Sequence, residues 1–521
     1  MGGHLFIVNG DLTKLACDAI LVPTDVAGRV ESPWRYVLDD REYVDVDWGE
    51  NLAKLYSAVP GQPQIWLGRV GRPGKGSDFA SYAPTVEEFI TQAIAGLDGH
   101  RIYPSPKFRL AVNVVGSGRG GGEQRKGHLI KGLVGALTAL ADEHDVDIVL
   151  VTYGHKPYSA AQRARRKLIG TDDESLATAW QFDATANPEL TTYARRLADD
   201  AIARHLVLFI GAGASAGAGL PIWSSLLDAA ASAAGIDADE RKQLAKIDYR
   251  DRATLIERRL RTSSPQPGAD SVSLKSIVAH QLQQHSRYSL QHGLLASLPS
   301  QEAVTTNFDS LFEAASRIDG QKVAVLPADP RNAGGRLLLK LHGSVNDPEN
   351  MILTRSDYLS MPRRYGALMG LVQGLLLTRR MVFVGYSLSD EDFHELIEEV
   401  RAARGDRTSE VGKGVVLTLR DNQFERQLWE GDLEIMPITT AEPFDIPKAA
   451  RELELFLDLV GYLSTTSAAF FLDETYSDLT DDESSLRDAL TALAQQTADS
   501  SPGTVADIVR EFLNELGPSS G

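Results

Sequence analysis

The feature that most constrains the fold is a glycine-rich segment, VLFIGAGASAGAGLPIW, at residues 207–223. The apolar residues 206–210 predict a buried β-strand, and the residues after the glycines predict a helix. Glycine lets the backbone approach a bound group closely because it carries no Cβ, and the amides at a helix start favour negative charge. The segment therefore indicates a phosphate site, although tight packing of a strand against a helix would need the same residues.

Three further segments repeat this order of an apolar strand followed by a polar turn. In AVTTNFDSLF the strand leads to Asn307 and Asp309, in LLLKLHGSVND it leads to His342, and in MVFVGYSLSDEDF it leads to Gly385 and Ser387. Ligands of an open parallel sheet bind at the carboxyl ends of its strands. We therefore expect the four turns to form one site.

Each polar residue also has a plain structural interpretation. Asn307 and Asp309 are residue types that commonly cap a helix, and His342 could be a packed core histidine. Capping is compatible with a chemical role, and the place of His342 directly before Gly-Ser at a strand end favours a functional one.

The four motifs resemble the sirtuin (SIR2-like) family of NAD-consuming enzymes over roughly residues 200–430. The resemblance implies an α/β fold with a Rossmann-like parallel sheet and a small helical subdomain. It implies that Asn307 and Asp309 order the nicotinamide ribose and that His342 acts as the base. It also implies that NAD, the substrate, is held by Gly211, Ala212, Gly213, Ser215, Pro221, Trp223, Gly343, Gly385 and Ser387.

Departures from the family narrow the expected activity. Protein deacylases of this family hold a structural zinc with two CxxC pairs, whereas this chain has a single cysteine, Cys17. No zinc or other metal is therefore expected, and the zinc lobe that walls the acyl-lysine cleft would be absent. Trp223 and Ser224 stand where the deacylases usually have Phe and Arg. The resemblance is closest to zinc-less bacterial SIR2 domains that hydrolyse NAD in anti-phage defence.

The chemistry of NAD cleavage suits these side chains. Breaking the nicotinamide–ribose bond develops positive charge on the ribose while neutral nicotinamide leaves. The carboxylate of Asp309 and the amide oxygen of Asn307 can stabilise or orient the sugar, and a histidine with a pKa near neutrality can accept a proton from water.

The first 165 residues predict a second α/β domain. His4–Asp25 gives a strand, a Gly-Asp turn, a short helix and a strand, and Phe108–Ile130 gives a strand, a glycine loop and a helix. The first segment resembles the opening of macro domains, which bind ADP-ribose, although residues 23–25 lack the family's usual Asn-rich sequence. Binding is therefore expected rather than hydrolysis, and a structural glycine loop is the alternative. The resemblance implies contacts from Asp11, Gly116, Gly118, Gly120 and Gly121.

We expect four parts in this chain of 521 residues: a macro-like domain at 1–165, a linker helix at 166–200, a SIR2-like domain at 201–445 and a helical C-terminal extension at 446–521. The basic run QRARRK at 162–167 is expected on a solvated helix. A net charge of −18 disfavours nucleic acid and anionic membranes as direct partners. The lack of a signal segment, a membrane span or a disulfide framework predicts a cytoplasmic protein, and the helical tail permits a homo-oligomer.

Three functions fit these motifs. The first is an NAD glycohydrolase held off until a trigger arrives, such as a phage-derived or co-encoded protein, with the macro-like domain sensing a nucleotide. The second is a zinc-independent deacylase or ADP-ribosyltransferase that uses Asn307 and His342. The third is a non-catalytic nucleotide sensor.

Overall fold

The structure is a computed structural model. It describes residues 2–55, 61–70, 78–118, 121–183, 187–263, 272–318, 322–330, 335–388, 391–404, 413–440, 442–476 and 478–517. Contacts divide the chain into two units. The first unit comprises Met1–Ala198, Ile318–Gly320 and Glu454–Gly521, and the second comprises Asp199–Arg317 and Gln321–Leu453.

The first unit is built on a six-stranded sheet of order β1-β6-β5-β2-β4-β3, in which only the β3–β4 pair is antiparallel. Its strands are β1 (His4–Asn9), β2 (Ala19–Thr24), β3 (Leu52–Leu55), β4 (Gln64–Arg69), β5 (Arg109–Asn113) and β6 (Asp147–Thr152). Its helices up to the second unit are α1 (Ala83–Leu97), α2 (Lys126–Glu143), α3 (His155–Leu168), α4 (Asp173–Ala179) and α5 (Leu190–Ile202). Short 3-10 helices lie at Leu12–Lys14, Ser32–Leu38, Phe79–Ser81 and Glu123–Arg125.

The predicted α/β organisation of this unit is confirmed. The strand, Gly-Asp turn, short helix and strand expected in residues 4–25 correspond to β1, the 3-10 turn and β2. Fully buried strand residues such as Ile7, Leu21 and Leu150 form one core with Phe89 of α1 and Leu133 of α2. The sequence analysis did not predict β3, β4 or α1.

A buried carboxylate ties the first unit together. Asp458, fully buried, accepts hydrogen bonds from Nε2 of His4 at 2.9 Å, from Nε1 of Trp180 at 2.8 Å and from Nη1 of Arg165 at 3.2 Å. These donors come from β1, α3 and the residue after α4, so one side chain joins three distant parts of the sequence. A buried charge of this kind is held by its partners because it is costly without them.

The contacts of Asp458 bear on the expected domain boundaries. Residues from Glu454 onward group with the first unit, and Phe470 and Tyr476 belong to the core of its sheet. The four-part division at 165, 200 and 445 stays a prediction. The expectation that the basic run 162–167 is solvated is wrong for Arg165, which is 2% exposed because it is paired with Asp458.

The second unit is built on a seven-stranded, wholly parallel sheet of order β13-β12-β11-β7-β8-β10-β9. Its strands are β7 (Leu206–Ile210), β8 (Glu302–Thr305), β9 (Val323–Leu326), β10 (Arg336–Lys340), β11 (Arg380–Val384), β12 (Gly414–Arg420) and β13 (Leu433–Thr439). Chain order runs from β7 to one side of the sheet and then resumes at β11 on the other. The boundary between β7 and β11 is therefore a topological switch point, where open α/β sheets bind ligands.

Helices connect these strands and cover the sheet. They are α6 (Gly213–Ala216), α7 (Trp223–Ala233), α8 (Ala238–Leu244), α9 (Tyr249–Ser263), α10 (Leu274–Gln283), α11 (Leu290–Ser297), α12 (Leu311–Ser316), α13 (Arg355–Thr378), α14 (Glu391–Arg404) and α15 (Gln423–Trp429), with a 3-10 turn at Pro348–Asn350. The chain then continues into α16 (Ile446–Ser464), α17 (Asp481–Thr497) and α18 (Val505–Glu515). No helix in the described ranges is both long and apolar enough to cross a membrane.

Two apolar cores organise the second unit. One joins the strands to α13, α14 and α15, and includes Phe209, Phe383 and Trp429. The other joins α7, α9 and α10, which confirms the expected small helical subdomain. A strand that the sequence analysis did not predict, β13, lies beyond β12 at the sheet edge. Its sequence LEIMPIT contains Pro437, a residue that sheets admit mainly at edges.

Replacing Asp458 tests the buried cluster of the first unit. We expect Asp458→Ala to lower the free energy of unfolding by about 3–5 kcal/mol, because it leaves the Arg165 guanidinium buried and unpaired. Urea unfolding of the full chain measures this change. Asp488→Ala, at an exposed position of α17, is the control and should change the stability by less than about 0.5 kcal/mol. Equal effects of the two substitutions would contradict the role assigned to Asp458.

Candidate functional site

The four turns expected to form a site follow strand residues that lie in register with one another across the second sheet. Ile210 of β7 is in register with Thr305 of β8 and with Val384 of β11, and Thr305 is in register with Lys340 of β10. Asn307 and His342 each follow two residues after this row. The expectation that the four motifs meet at one edge of the sheet is therefore supported by the strand register.

The turns after β7 and β11 touch through their backbones. The amide of Gly211 donates to the carbonyl of Val384 at 2.9 Å, and the amide of Gly213 donates to that of Gly385 at 2.8 Å. A Cβ on Gly211 would lie 2.4 Å from the carbonyl oxygen of Gly385, and Gly385 itself has a φ of +64°. The close packing of the two turns therefore requires these glycines, independently of any binding of phosphate.

Ser215 links the glycine segment to the turn after β8. Its hydroxyl, 2% exposed, donates to Oδ2 of Asp309 at 2.9 Å and accepts from Nδ2 of Asn307 at 3.2 Å. The same Nδ2 donates to the carbonyl of Gly211 at 3.1 Å. Residues from two motifs that the sequence predicted separately are therefore joined in one hydrogen-bonded cluster, which we call the Ser215–Asn307–Asp309 cluster.

The turn that carries Asn307 is anchored at both ends. Thr305 Oγ1 donates to the carbonyl of Ile210 at 2.7 Å and accepts from the amide of Asn307 at 3.0 Å. Oδ1 of Asp309 accepts from the amide of Leu311 at 3.0 Å, at the start of α12. Asp309 thus binds the first amide of α12 from the position before the N-cap, which is Ser310, and its Oδ2 is left directed to Ser215.

Lys340 supports the same turn from the neighbouring strand, and the sequence analysis did not single it out. Its ammonium group, 1% exposed, pairs with Glu313 at 2.9 Å and donates to the backbone carbonyls of Phe308 and Asp309. Lys340 was visible within the KLHGS motif, but nothing in the sequence indicated that it faces Glu313 of α12.

His342 lies among aromatic rings. It is 5% exposed, and its ring centroid is 5.5 Å from that of Tyr358 and 6.4 Å from that of Phe308. Trp223 contacts Phe308 at 5.9 Å and Tyr249 at 6.3 Å, and Tyr249 contacts Tyr358 at 6.1 Å. The five rings thus form a closed circuit of neighbours, which we call the aromatic circuit, and they give His342 apolar surroundings.

The remaining predicted residues of the second unit lie along the same edge. Ala212 is exposed and precedes α6, Pro221 lies two residues before α7 begins at Trp223, and Ser387 follows two residues after Gly385. Gly343 has a φ of +90°, and a Cβ there would lie 2.7 Å from the carbonyl oxygen of Asn350. Its backbone geometry therefore requires glycine.

His292 is a residue that the sequence analysis did not include in the expected site. It is fully buried, with Nε2 at 3.5 Å from Ser215 Oγ and Nδ1 at 3.0 Å from Ser289 Oγ. Burial lowers the pKa of His292 to about 4, although the nearby carboxylate of Asp309 acts in the opposite direction. The ring is therefore neutral at physiological pH.

A cavity extends the edge beyond β11. It has a volume of about 460 Å³ at the carboxyl end of β12 and was not predicted from the sequence. It is lined by Thr418, Leu419, Arg420, Asn422, Glu425, Phe444 and Ile446. The edge thus has polar turns after β10, β8, β7 and β11 and then a mostly apolar cavity after β12.

The residues expected to bind a second nucleotide lie in the first unit. Asp11 follows β1, where Oδ1 accepts from the amide of Thr13 at 3.0 Å and Oδ2 pairs with Lys14 at 3.1 Å. The loop of Gly116, Gly118 and Gly121 follows β5, which β6 separates from β1. Both segments lie at the carboxyl edge of the sheet, and the described ranges leave out Gly120.

Within the described ranges no group of three or more His, Cys, Asp or Glu side chains is arranged to hold a metal ion. Cys17 is buried, and its thiol donates to the carbonyls of Leu15 and Ala19. The residues near His342 and Asn307 are amide, hydroxyl, carboxylate and aromatic groups, which suit an organic ligand.

Comparison with known proteins agrees with this geometry. A family model described as "SIR2-like domain" matches residues 301–438, from β8 into β13. The chain is 23% identical over 222 residues to the NAD(+) hydrolase ThsA of Bacillus cereus (strain MSX-D12), covering 42% of this chain and 44% of that protein. It is 24% identical over 202 residues to the protein of the same name from Enterococcus faecium, covering 37% and 39%. It is 26% identical over 214 residues to "Defense-associated sirtuin 2" of Bacillus subtilis, covering 39% and 20%.

These matches establish a resemblance for one part of the chain. The SIR2-like resemblance predicted from the sequence is confirmed for the domain that contains Asn307 and His342. The chain spans less than half the length of each of these relatives. None of these matches concerns the macro-like resemblance of the first unit.

The buried histidine predicts a pH dependence of stability. The pKa of His292 is about 4 when folded and 6.5 when unfolded, so the unfolded chain binds the proton first. The buried, neutral His292 contributes fully to the free energy of unfolding above about pH 6.5. As the pH falls toward 4, the free energy of unfolding decreases by on the order of 3 kcal/mol. Urea unfolding at about pH 7 and pH 5 should show that His292→Gln removes part of the acid sensitivity. The exposed control His280→Gln should retain all of it, and an unchanged acid sensitivity in both would contradict the prediction.

The contact between the two glycine turns yields another prediction. Gly385→Ala places a Cβ 2.4 Å from the amide nitrogen of Ala214, so the turns must separate. Gly235 has a similar φ of +70° but open space around its Cβ position, so Gly235→Ala isolates the cost of backbone strain. Thermal unfolding should show Gly385→Ala to be at least about 2 kcal/mol more destabilising than Gly235→Ala. Equal losses would mean that the turn contact contributes nothing.

Proposed function

We propose that this chain, whose residues 301–438 form a SIR2-like domain, is an NAD hydrolase that releases nicotinamide and ADP-ribose. The observation that carries this proposal is the Ser215–Asn307–Asp309 cluster, which joins the glycine turn to the turn after β8 at the switch point of a parallel sheet. The three ThsA and sirtuin relatives support it, since two of them are named NAD(+) hydrolases.

Asn307 would orient the sugar through its side-chain oxygen. Both protons of Nδ2 are directed to protein acceptors, the carbonyl of Gly211 and the hydroxyl of Ser215. Oδ1 is then the atom that can accept from a ribose hydroxyl or from the attacking water. A fixed amide of this kind loses little freedom when the substrate arrives.

Asp309 would stabilise the charge that develops on the ribose. Its carboxylate is 8% exposed and is held by the amide of Leu311 and the hydroxyl of Ser215. In surroundings that exclude water, a negative charge aimed at a developing cation acts more strongly than it would in solvent. The position of the charge is fixed before the reaction begins.

His342 would accept the proton of the water. The glycosidic bond breaks with its electron pair on the nicotinamide nitrogen, which leaves neutral, and a water oxygen bonds to the ribose carbon. The proton of that water passes to the ring of His342. The aromatic circuit beside His342 suits the planar nicotinamide ring and limits the access of further water.

The rest of the dinucleotide would lie along the same edge. The diphosphate would lie near Ala212, Ser215 and Ser387, on the turns after β7 and β11, with Gly211, Gly213 and Gly385 closing those turns. Three strand spacings separate β8 from β12, about 14 Å in all, which matches an extended dinucleotide. The cavity at the end of β12 would then take the adenosine half.

The same relatives support a biological role. We propose that the chain acts in anti-phage defence by depleting NAD in the cytoplasm, and that a phage-derived or co-encoded trigger releases its activity. Such control is expected because unregulated loss of NAD would harm the host cell. The names of the relatives, NAD(+) hydrolase and defense-associated sirtuin, support this role. A homo-oligomer and the four-part domain division remain part of the proposal.

The first unit supports a second, separate proposal. We propose that it binds an ADP-ribose-like nucleotide through Asp11 and the loop of Gly116, Gly118, Gly120 and Gly121. Asn113, at the end of β5, has a buried side-chain oxygen with no hydrogen-bond partner within the described ranges, so a ligand donor would satisfy it. Calorimetry with ADP-ribose on the full chain tests this proposal, and Asp11→Ala should weaken binding if it is correct.

Cleavage of NAD is tested directly by chromatography of nicotinamide and ADP-ribose. We expect His342→Ala and Asn307→Ala to lower nicotinamide release by at least about 100-fold, because each removes a group that acts in the transition state. His280→Ala, on the exposed side of α10, should match the wild type. Full turnover in either variant would contradict the assignment, and an acylated or protein-linked ADP-ribose product would favour a transferase instead.

A further inference from the structure

We infer that His292 is a positioning residue for the proposed cleavage of NAD, acting through Ser215 to hold Asn307 and Asp309. The inference rests on the function proposed above and assigns a role to a residue outside the motifs that suggested that function. His292 lies in the first turn of α11, which carries it to the buried side of the glycine segment.

The position of His292 is fixed by contacts on both ring nitrogens. Ser289, which caps α11, has its amide 3.3 Å from Nδ1 and its hydroxyl 2.7 Å from the carbonyl of Ala214. On the other side, Nε2 lies 3.5 Å from the hydroxyl of Ser215. The start of α11 therefore contacts the glycine segment at Ala214 and at Ser215.

The contacts determine where the ring proton lies. Ser289 contacts Nδ1 twice, through its hydroxyl at 3.0 Å and through its amide at 3.3 Å. The amide can only donate, so we infer from this contact that Nδ1 accepts and that the proton of the neutral ring lies on Nε2. Nε2 then donates to the hydroxyl of Ser215, which donates its own proton to Asp309. The result is a directed series of hydrogen bonds from His292 through Ser215 to the carboxylate.

This direction matters for the cluster. If Ser215 turned its proton from Asp309 toward Asn307, the carboxylate would lose a buried donor and Asn307 would lose one of its two acceptors. A donor at His292 keeps the Ser215 oxygen in place as an acceptor and leaves its proton for Asp309. The long 3.5 Å contact is the kind that shortens when a site closes on its substrate.

Three substitutions separate positioning from packing. The amide nitrogen of glutamine reaches the place of Nε2, whereas that of asparagine reaches only the place of Nδ1, and leucine fills the volume without a polar group. We expect His292→Leu and His292→Asn to lower kcat by about 10- to 100-fold and His292→Gln to retain it within about threefold. Circular dichroism and melting of each variant report whether it folds.

The comparison of glutamine with asparagine is the decisive one, because both are polar and both disturb packing. Recovery of kcat in His292→Gln alone supports positioning. Equal losses in Gln and Asn, or wild-type kcat in His292→Leu, would overturn it. If the wild type itself releases no nicotinamide under any trigger, the proposed function fails, and the positioning proposal is then judged by a measurement that needs no turnover.

That measurement is NMR of the full chain with isotope-labelled histidine near pH 7, in which His292→Gln identifies the His292 signals. The expected result is a neutral ring protonated on Nε2, and a shift of the Nε2 signal in Ser215→Ala. A proton on Nδ1, or no response to Ser215→Ala, would overturn the inference even if NAD is cleaved.

Discussion

The second unit depends on one close approach between two backbones. The turns after β7 and β11 meet with Gly211 and Gly213 against Gly385, at distances that no side chain would allow. Because β7 and β11 are the neighbours at which chain order reverses, this contact closes the switch point of the sheet. Every group proposed to act on NAD is positioned relative to these turns, through Ser215 on one side and through the register of β8 and β10 on the other.

Buried polar groups hold the turn after β8 in a fixed position at the edge of the sheet. Lys340 holds the turn after β8 from one side and His292 approaches it from the other, and both are almost wholly buried. The two side chains contribute different contacts. Lys340 forms an ion pair with Glu313, whereas the neutral ring of His292 donates and accepts hydrogen bonds. The turn is thus fixed by directional contacts, which specify geometry more closely than apolar packing does.

Much of this arrangement could be predicted from local sequence. Runs such as LVLFI are apolar throughout and end at glycine, so both the strand Leu206–Ile210 and its turn were evident. The grouping of four turns at one edge followed from the rule for parallel sheets. A role of Asp309 at a helix start was also foreseen as a structural alternative, and its Oδ1 accepts from the first amide of α12, although the N-cap itself is Ser310.

What escaped prediction depends on contacts between distant residues. His292 and Ser215 are 77 positions apart, and Lys340 and Glu313 are 27 apart, so no local pattern relates them. β13 was missed because its sequence mixes polar residues and a proline with apolar ones. The residues after 454 are tied to the first unit through Asp458, whose partners lie near the start of the chain, in α3 and directly after α4.

The double use of Asp309 has a consequence for anyone who needs a stable, inactive form of this protein. One oxygen of Asp309 accepts from the first amide of α12, and the other accepts from the hydroxyl of Ser215. A substitution at Asp309 therefore weakens a helix start as well as the site. His342, by contrast, has rings on either side and caps no helix. A substrate trap is therefore better made at the histidine, where loss of chemistry can be separated from loss of structure.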